Sequence, residues 1–173
     1  MPPLITTPRL VLRELTSGDA DFILELLNEP SFLQHIGDKG VRTREDARLY
    51  IETGPRASYA RHGFGLYAVM LRDGGETVGI CGLLKREVLE HPDVGFAFLP
   101  RFWSKGYAFE SASAVLQHAR SALGLTRILA ITSPGNTASI QLLGRLGFFF
   151  ERTQHLSADD AVKVFASDGD AAG

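Results

Sequence analysis

The chain has 173 residues, 45% hydrophobic and 22% charged, with Lys+Arg 18 against Asp+Glu 20 and a formal charge of -2. That balance excludes a broad basic surface for nucleic acid, and the length allows one sizeable core. No apolar run approaches the roughly 20 residues that span a bilayer, and Met1 to Arg9 lacks the layout of a signal peptide, so the expectation is cytoplasmic with no membrane partner.

Arg9-Leu10-Val11-Leu12-Arg13-Glu14-Leu15 alternates in part and reads as a first strand. Thr16 or Ser17 can cap a helix whose apolar face (Ala20, Ile23, Leu24, Leu27) stops near Pro30. Thr43-Arg44-Glu45-Asp46 opens a second helix, and Gly54-Pro55 predicts a break or kink before Arg56–His62. Phe64–Leu71 and Val78–Lys85 flank a Gly-rich link and read as a hairpin. The lone Cys81 lies in the second of these strands, which excludes an intramolecular disulfide and predicts a buried thiol.

Asp93–Leu99 is a third run of this group, ended by Pro100; Gly95 within it suggests a bulge or a close backbone approach. A helix from Phe109 to Leu123, a strand at Arg127–Thr132 and a helix from Asn136 to Leu146 follow. Phe148–Phe150 and Val162–Phe165 are the last strands, and Ser167 to Gly173 reads as a frayed tail. Nothing divides the chain, so a single domain over 1–173 is expected, with its core at about 7–166. The order implies an α/β (α+β) fold: a mixed sheet with helices on both faces.

Trp103-Ser104-Lys105-Gly106-Tyr107-Ala108 joins a strand to a helix. A glycine and a small residue there let backbone amides approach an anion, which the positive helix end stabilises. The spacing is neither a P-loop nor a three-glycine dinucleotide fingerprint. No histidine pair has metal spacing, and no metal is expected.

Three segments, in order, resemble the GNAT family of acetyl-CoA-dependent N-acetyltransferases, and within it the RimJ/RimL-like branch that acetylates ribosomal-protein N-termini. They are Thr7–Arg13 with the acidic helix start at Asp19, Asp93–Phe96 leading into Trp103–Ala108, and Asn136–Ser139 leading to Leu146-Gly147-Phe148. The resemblance implies that Trp103, Ser104, Lys105, Gly106, Tyr107 and Ala108 hold the pyrophosphate of acetyl-CoA. Trp103 stands at a Gln/Arg position and Ser104 where the branch often has Gly. It further implies a strand pair splayed beyond a bulge. There the main chain of Phe96, Ala97, Phe98 and Leu99 receives the pantetheine arm, with Asn136 and Ser139 beside the arm and thioester.

Acetyl transfer to an amine needs a neutral amine, an oxyanion donor and a proton for the departing sulfur. Asp93 stands where many relatives carry a glutamate base; a solvated turn aspartate is the other reading of the same residue. Glu110 reads as a first-turn acid that complements the helix dipole. The family's usual thiol-protonating tyrosine is replaced by Leu143, which leaves Ser139 as the nearest donor and Tyr107 as a weaker one. An α-amine near pKa 8 is about a tenth neutral at pH 7, against well under a thousandth for a lysine. Weak base machinery therefore favours a peptide or protein N-terminus as acceptor, in a monomer or homodimer. A small-molecule amine as acceptor, or a non-catalytic acyl-CoA-binding protein on the same fold, are the alternatives.

Overall fold

The computed structural model describes residues 3–169. Its frame is one eight-stranded sheet in the order β1-β2-β3-β4-β5-β6-β8-β7. The strands are β1 (Ile5–Thr6), β2 (Leu10–Glu14), β3 (Leu66–Leu71), β4 (Thr77–Leu84), β5 (Asp93–Phe98), β6 (Arg127–Thr132), β7 (Phe149–Ser157) and β8 (Asp160–Asp168). All neighbours pair antiparallel except β5 and β6, which run parallel. The final hairpin is longer than the sequence suggested, and Ser167 and Asp168 belong to β8 rather than to a tail. The rest of that tail beyond Gly169 lies outside the described residues.

Helices cover both faces. On one face α5 (Tyr107–Ser121) buries Ala112, Val115, Leu116 and Ala119 against Leu12, Val69, Cys81 and Val94 of the sheet. The opposite face packs α1 (Ala20–Leu27) and α3 (Arg44–Ile51) over Ala68, Ile80 and Leu99. Thr16 and Thr43 each form a reciprocal capping box, with Asp19 and Asp46, so both helical segments begin where side chains satisfy the first orphan amides. Arg13 grips Asp19 through two bonds of 2.9 and 2.7 Å. Burial pushes the Asp19 carboxyl up, but these bonds and that from Thr16 N prevail and hold it below the usual range.

Two helical expectations change. Gly54-Pro55 does not break the chain into separate helices. The missing proline donor is absorbed in a widened π-helical turn, Glu52–Arg56, that runs on into α4 (Ala57–His62). Pro30 does not merely end α1; it occupies the first turn of a further helix, α2 (Pro30–His35), where its fixed φ suits a helix start. Phe32 of α2 is buried in the α1/α3 core, which seats this helix on the β5 side of the sheet.

Candidate active site

Strands β5 and β6 meet at one pair only, Asp93 with Leu129, secured by Leu129 N donating to Pro92 O at 2.9 Å. Beyond it they diverge. The β4–β5 ladder runs in unbroken register from Gly79–Phe98 to Leu84–Asp93, so the divergence needs no bulge there, contrary to expectation. Gly95 instead allows close packing, since a Cβ would lie 3.0 Å from Leu84 Cδ1.

Backbone groups alternate sides along a strand. Leu99 N donates to Val78 O at 3.0 Å, so the odd-numbered residues of β5 face β4, whereas Pro92 O, and with it Phe96 and Phe98, face β6. Divergence therefore leaves the N–H and C=O of Phe96 and the N–H of Phe98 unpaired among the described residues. The expected edge at Phe96–Leu99 narrows to Phe96 and Phe98. Ala97 and Leu99 turn their main chains to β4, and Leu99 is a fully buried core residue.

Phe98 O already accepts from Trp103 Nε1 at 2.8 Å. That bond folds the start of the 103–108 turn against the edge, and it assigns the tryptophan a definite role. Trp103→Phe removes about 0.5–1.5 kcal/mol of hydrogen bonding. The expected result is a rise of roughly 3–10-fold in the Kd for coenzyme A, measured by calorimetry, with little change in kcat.

The turn itself is strained in a useful way. Ser104 (φ 62) and Gly106 (φ 84) are both left-handed, and Ser104 is the one non-glycine residue with positive φ among those described. Such a backbone gathers N–H groups into a concavity suited to an anion. The first helical bond of α5 is Glu110 N to Gly106 O, leaving the amides of Tyr107, Ala108 and Phe109 without partners among the described residues. Arg9 braces this turn from behind: Nη1 donates to Lys105 O at 2.8 Å and Nε to Glu110 at 2.7 Å. Thr7 Oγ1 also donates to Glu110, at 2.6 Å. Partial burial pushes the Glu110 carboxyl up, but these bonds outweigh it and hold it below the usual range. Glu110 is thus a clamp that ties the N-terminal segment to the turn, besides being a first-turn acid.

The edge and the turn line one cleft of about 470 Å³. Phe96, Ala97, Phe98, Trp103, Ser104, Gly106, Tyr107, Ala108, Asn136 and Ser139 all reach it; Lys105 and Leu99 do not. Asn136 caps α6 (Thr137–Arg145), its Oδ1 accepting from Ser139 N at 3.2 Å, so capping and cleft lining coexist. Leu143 is 1% exposed and turned into the core.

Asp93 lies apart from these residues. It is fully buried at the closed end of the divergence, with its oxygens 3.1 and 3.3 Å from Arg86 Nε, and it does not line the cleft. The geometry does not carry the expectation that it meets the acceptor directly, because no face of its carboxylate reaches the cavity. Burial pushes its carboxyl up to about 6 against the opposing pull of Arg86.

Three ionisable side chains on the cleft wall have no role assigned from the sequence: Glu29, His35 and Arg145. Arg145 lies over the Phe109 ring at 4.4 Å. The preference of proline for a first helical position was the signal that could have placed His35 on a helix starting at Pro30.

Comparisons with known proteins agree with this geometry. Residues 9–149 match the family described as Acetyltransferase (GNAT) domain. The uncharacterized N-acetyltransferase YoaA of Bacillus subtilis (strain 168) is 30% identical over 147 residues, covering 84% of this chain and 82% of its own. An acetyltransferase (GNAT family) from Bacillus anthracis superposes with TM-score 0.79 at 24% identity, over 95% of this chain and 97% of the other. RimL, a ribosomal alpha-N-protein acetyltransferase in complex with coenzyme A, gives 0.83 at 17% identity, over 98% and 99%.

Proposed function

The chain belongs to the GNAT acetyltransferase family and is an acyltransferase, and from that premise we propose that it transfers acetyl from acetyl-CoA directly to a peptide or protein N-terminal α-amine, as a member of the RimJ/RimL-like branch. The observation that carries the proposal is the meeting, in one cleft, of an unpaired strand edge and a turn rich in free amides. The residues present fit acetyl-CoA. A pantetheine amide suits the free groups of Phe96 and Phe98, and a pyrophosphate suits the amides of 104–109 at the positive end of α5. When bound, the cofactor supplies an activated acetyl thioester.

The protein's own groups have separate tasks in this reading. The N–H of Phe96 or Phe98 donates to the oxygen on which charge develops. Ser139, in the first turn of α6 and on the cleft wall, donates a proton toward the departing sulfur in place of the tyrosine that Leu143 cannot supply. Asp93 is a positioning residue whose charge holds Arg86 across the closed end of the divergence. With this carboxylate off the cleft wall, an acceptor with a substantial neutral fraction is favoured, which supports an α-amine over a lysine side chain.

Thiol release from acetyl-CoA, followed with N-terminal peptides, amino acids, polyamines and aminoglycosides, tests this. Peptide-dependent release exceeding that with ε-amines by at least about tenfold is expected. Release with small amines alone would move the acceptor class, and coenzyme A binding without release across the panel would favour a binding protein.

A further inference from the structure

We propose that His35 is a catalytic residue that takes the proton from the acceptor amine. The inference rests on the acetyltransfer reading above and adds to it a residue for which that reading has no assignment.

Position is the first argument. His35 is the last residue of α2, whose Phe32 anchors it in the core shared with Ala97 and Leu99 on the β5 side. The His35 ring reaches to the far side of the divergence, where Nδ1 lies 3.4 Å from Ser133 Oγ, just past the end of β6. The imidazole therefore reaches the loop that leads into Asn136 and Ser139. It lines the same cleft as both of these and as Phe96 and Phe98 of the free β5 edge.

Chemistry is the second. Among the described residues, four ionisable side chains line this cleft: Glu29, His35, Tyr107 and Arg145. Arg145 cannot accept a proton at working pH. Tyr107 belongs to the first turn of α5 and carries the Arg9 guanidinium 4.7 Å over its ring. Glu29 stands at the N-cap position, the opposite end of α2 from His35, with no capping bond from its side chain, and it lacks the contact with the β6–α6 loop. His35 is the one with a ring held at one nitrogen and a second nitrogen, Nε2, without a partner among the described residues; with the proton on Nδ1, donated to Ser133 Oγ, Nε2 is the free acceptor. One nitrogen fixed and the other free is what a positioned proton acceptor requires.

The step balances as follows. The amine nitrogen bonds to the thioester carbonyl carbon, and the C–S bond breaks with its electron pair going to sulfur. The proton lost by nitrogen goes to His35. The sulfur receives one from Ser139, whose hydroxyl is restored from the imidazolium through solvent.

His35→Gln and Ser133→Ala test the assignment in kinetics with the acceptor identified by the panel. For His35→Gln the expected result is a fall in kcat of about 100-fold or more, as general acid-base residues commonly give. The Kd for coenzyme A should stay within about threefold. The loss should shrink as the acceptor amine pKa falls. Ser133→Ala, which frees the ring, should lower kcat by roughly 3–10-fold. Retention of kcat within about threefold in His35→Gln overturns the proposal. So does a loss that appears only in coenzyme A affinity or thermal midpoint, the mark of a structural role. A wild-type protein that binds coenzyme A but releases no thiol with any acceptor overturns the acetyltransfer reading, and this inference with it; wild-type turnover that survives in His35→Gln overturns the inference alone.

Discussion

Gly106→Trp is expected to abolish coenzyme A binding, raising Kd at least about 100-fold, which corresponds to roughly 2.7 kcal/mol. Two independent costs combine. Gly106 has φ 84, and a side chain in that left-handed conformation costs about 1–2 kcal/mol or forces the turn to another shape. A Cβ there would also stand 3.1 Å from Arg9 Nη2, the guanidinium that braces Lys105 O and Glu110. Either response, a moved guanidinium or a reshaped turn, disperses the amides gathered at residues 104–109. The indole itself would fill part of the cleft that Gly106 lines. Calorimetry against coenzyme A, with circular dichroism to verify the fold, reads the result. Binding within tenfold of wild type in a folded variant would remove the anion site from this turn.

The parts of this fold that were legible in the sequence are those whose residues act locally. The 103–108 turn announces itself because left-handed backbone and a helix start demand particular residue types. Alternation and apolar runs place β2 to β6, with no end displaced by more than two residues. Long-range partners left no comparable mark. Glu110 reads locally as a helix-dipole acid, yet its bonds to Thr7 and Arg9 span about a hundred residues of chain. Asp93 reads as a reachable carboxylate because it follows a proline at a strand start; only the packing of Arg86 and the parallel pairing with Leu129 bury it. Short elements were hidden for a related reason. Six residues of α2 hold too few periodic positions to show an apolar face, and the helix exists because Phe32 finds a core.

Asp93→Asn should alter the pH dependence of stability far more than turnover. The ordinary aspartate value is 3.8, and burial raises this carboxyl to about 6 in the folded chain. Between those values the folded state binds the proton that the unfolded state has lost. The contribution of Asp93 to stability is therefore fully present below about pH 4, declines as pH rises toward 6, and is constant above. A shift of about two units corresponds to roughly 3 kcal/mol. Urea unfolding at pH 4 and pH 7 should accordingly show wild type losing about 2–3 kcal/mol relative to Asp93→Asn over that interval; parallel curves would mean the carboxyl is not perturbed by burial. Turnover separates the two proton assignments. A buried group behind the cleft wall allows kcat to stay within about tenfold. A fall of about 100-fold at unchanged coenzyme A affinity would make Asp93 the base and leave His35 without that task. The two single variants thus exchange outcomes under the two assignments, because one carboxylate lies buried behind the strand junction and one imidazole lines the cleft.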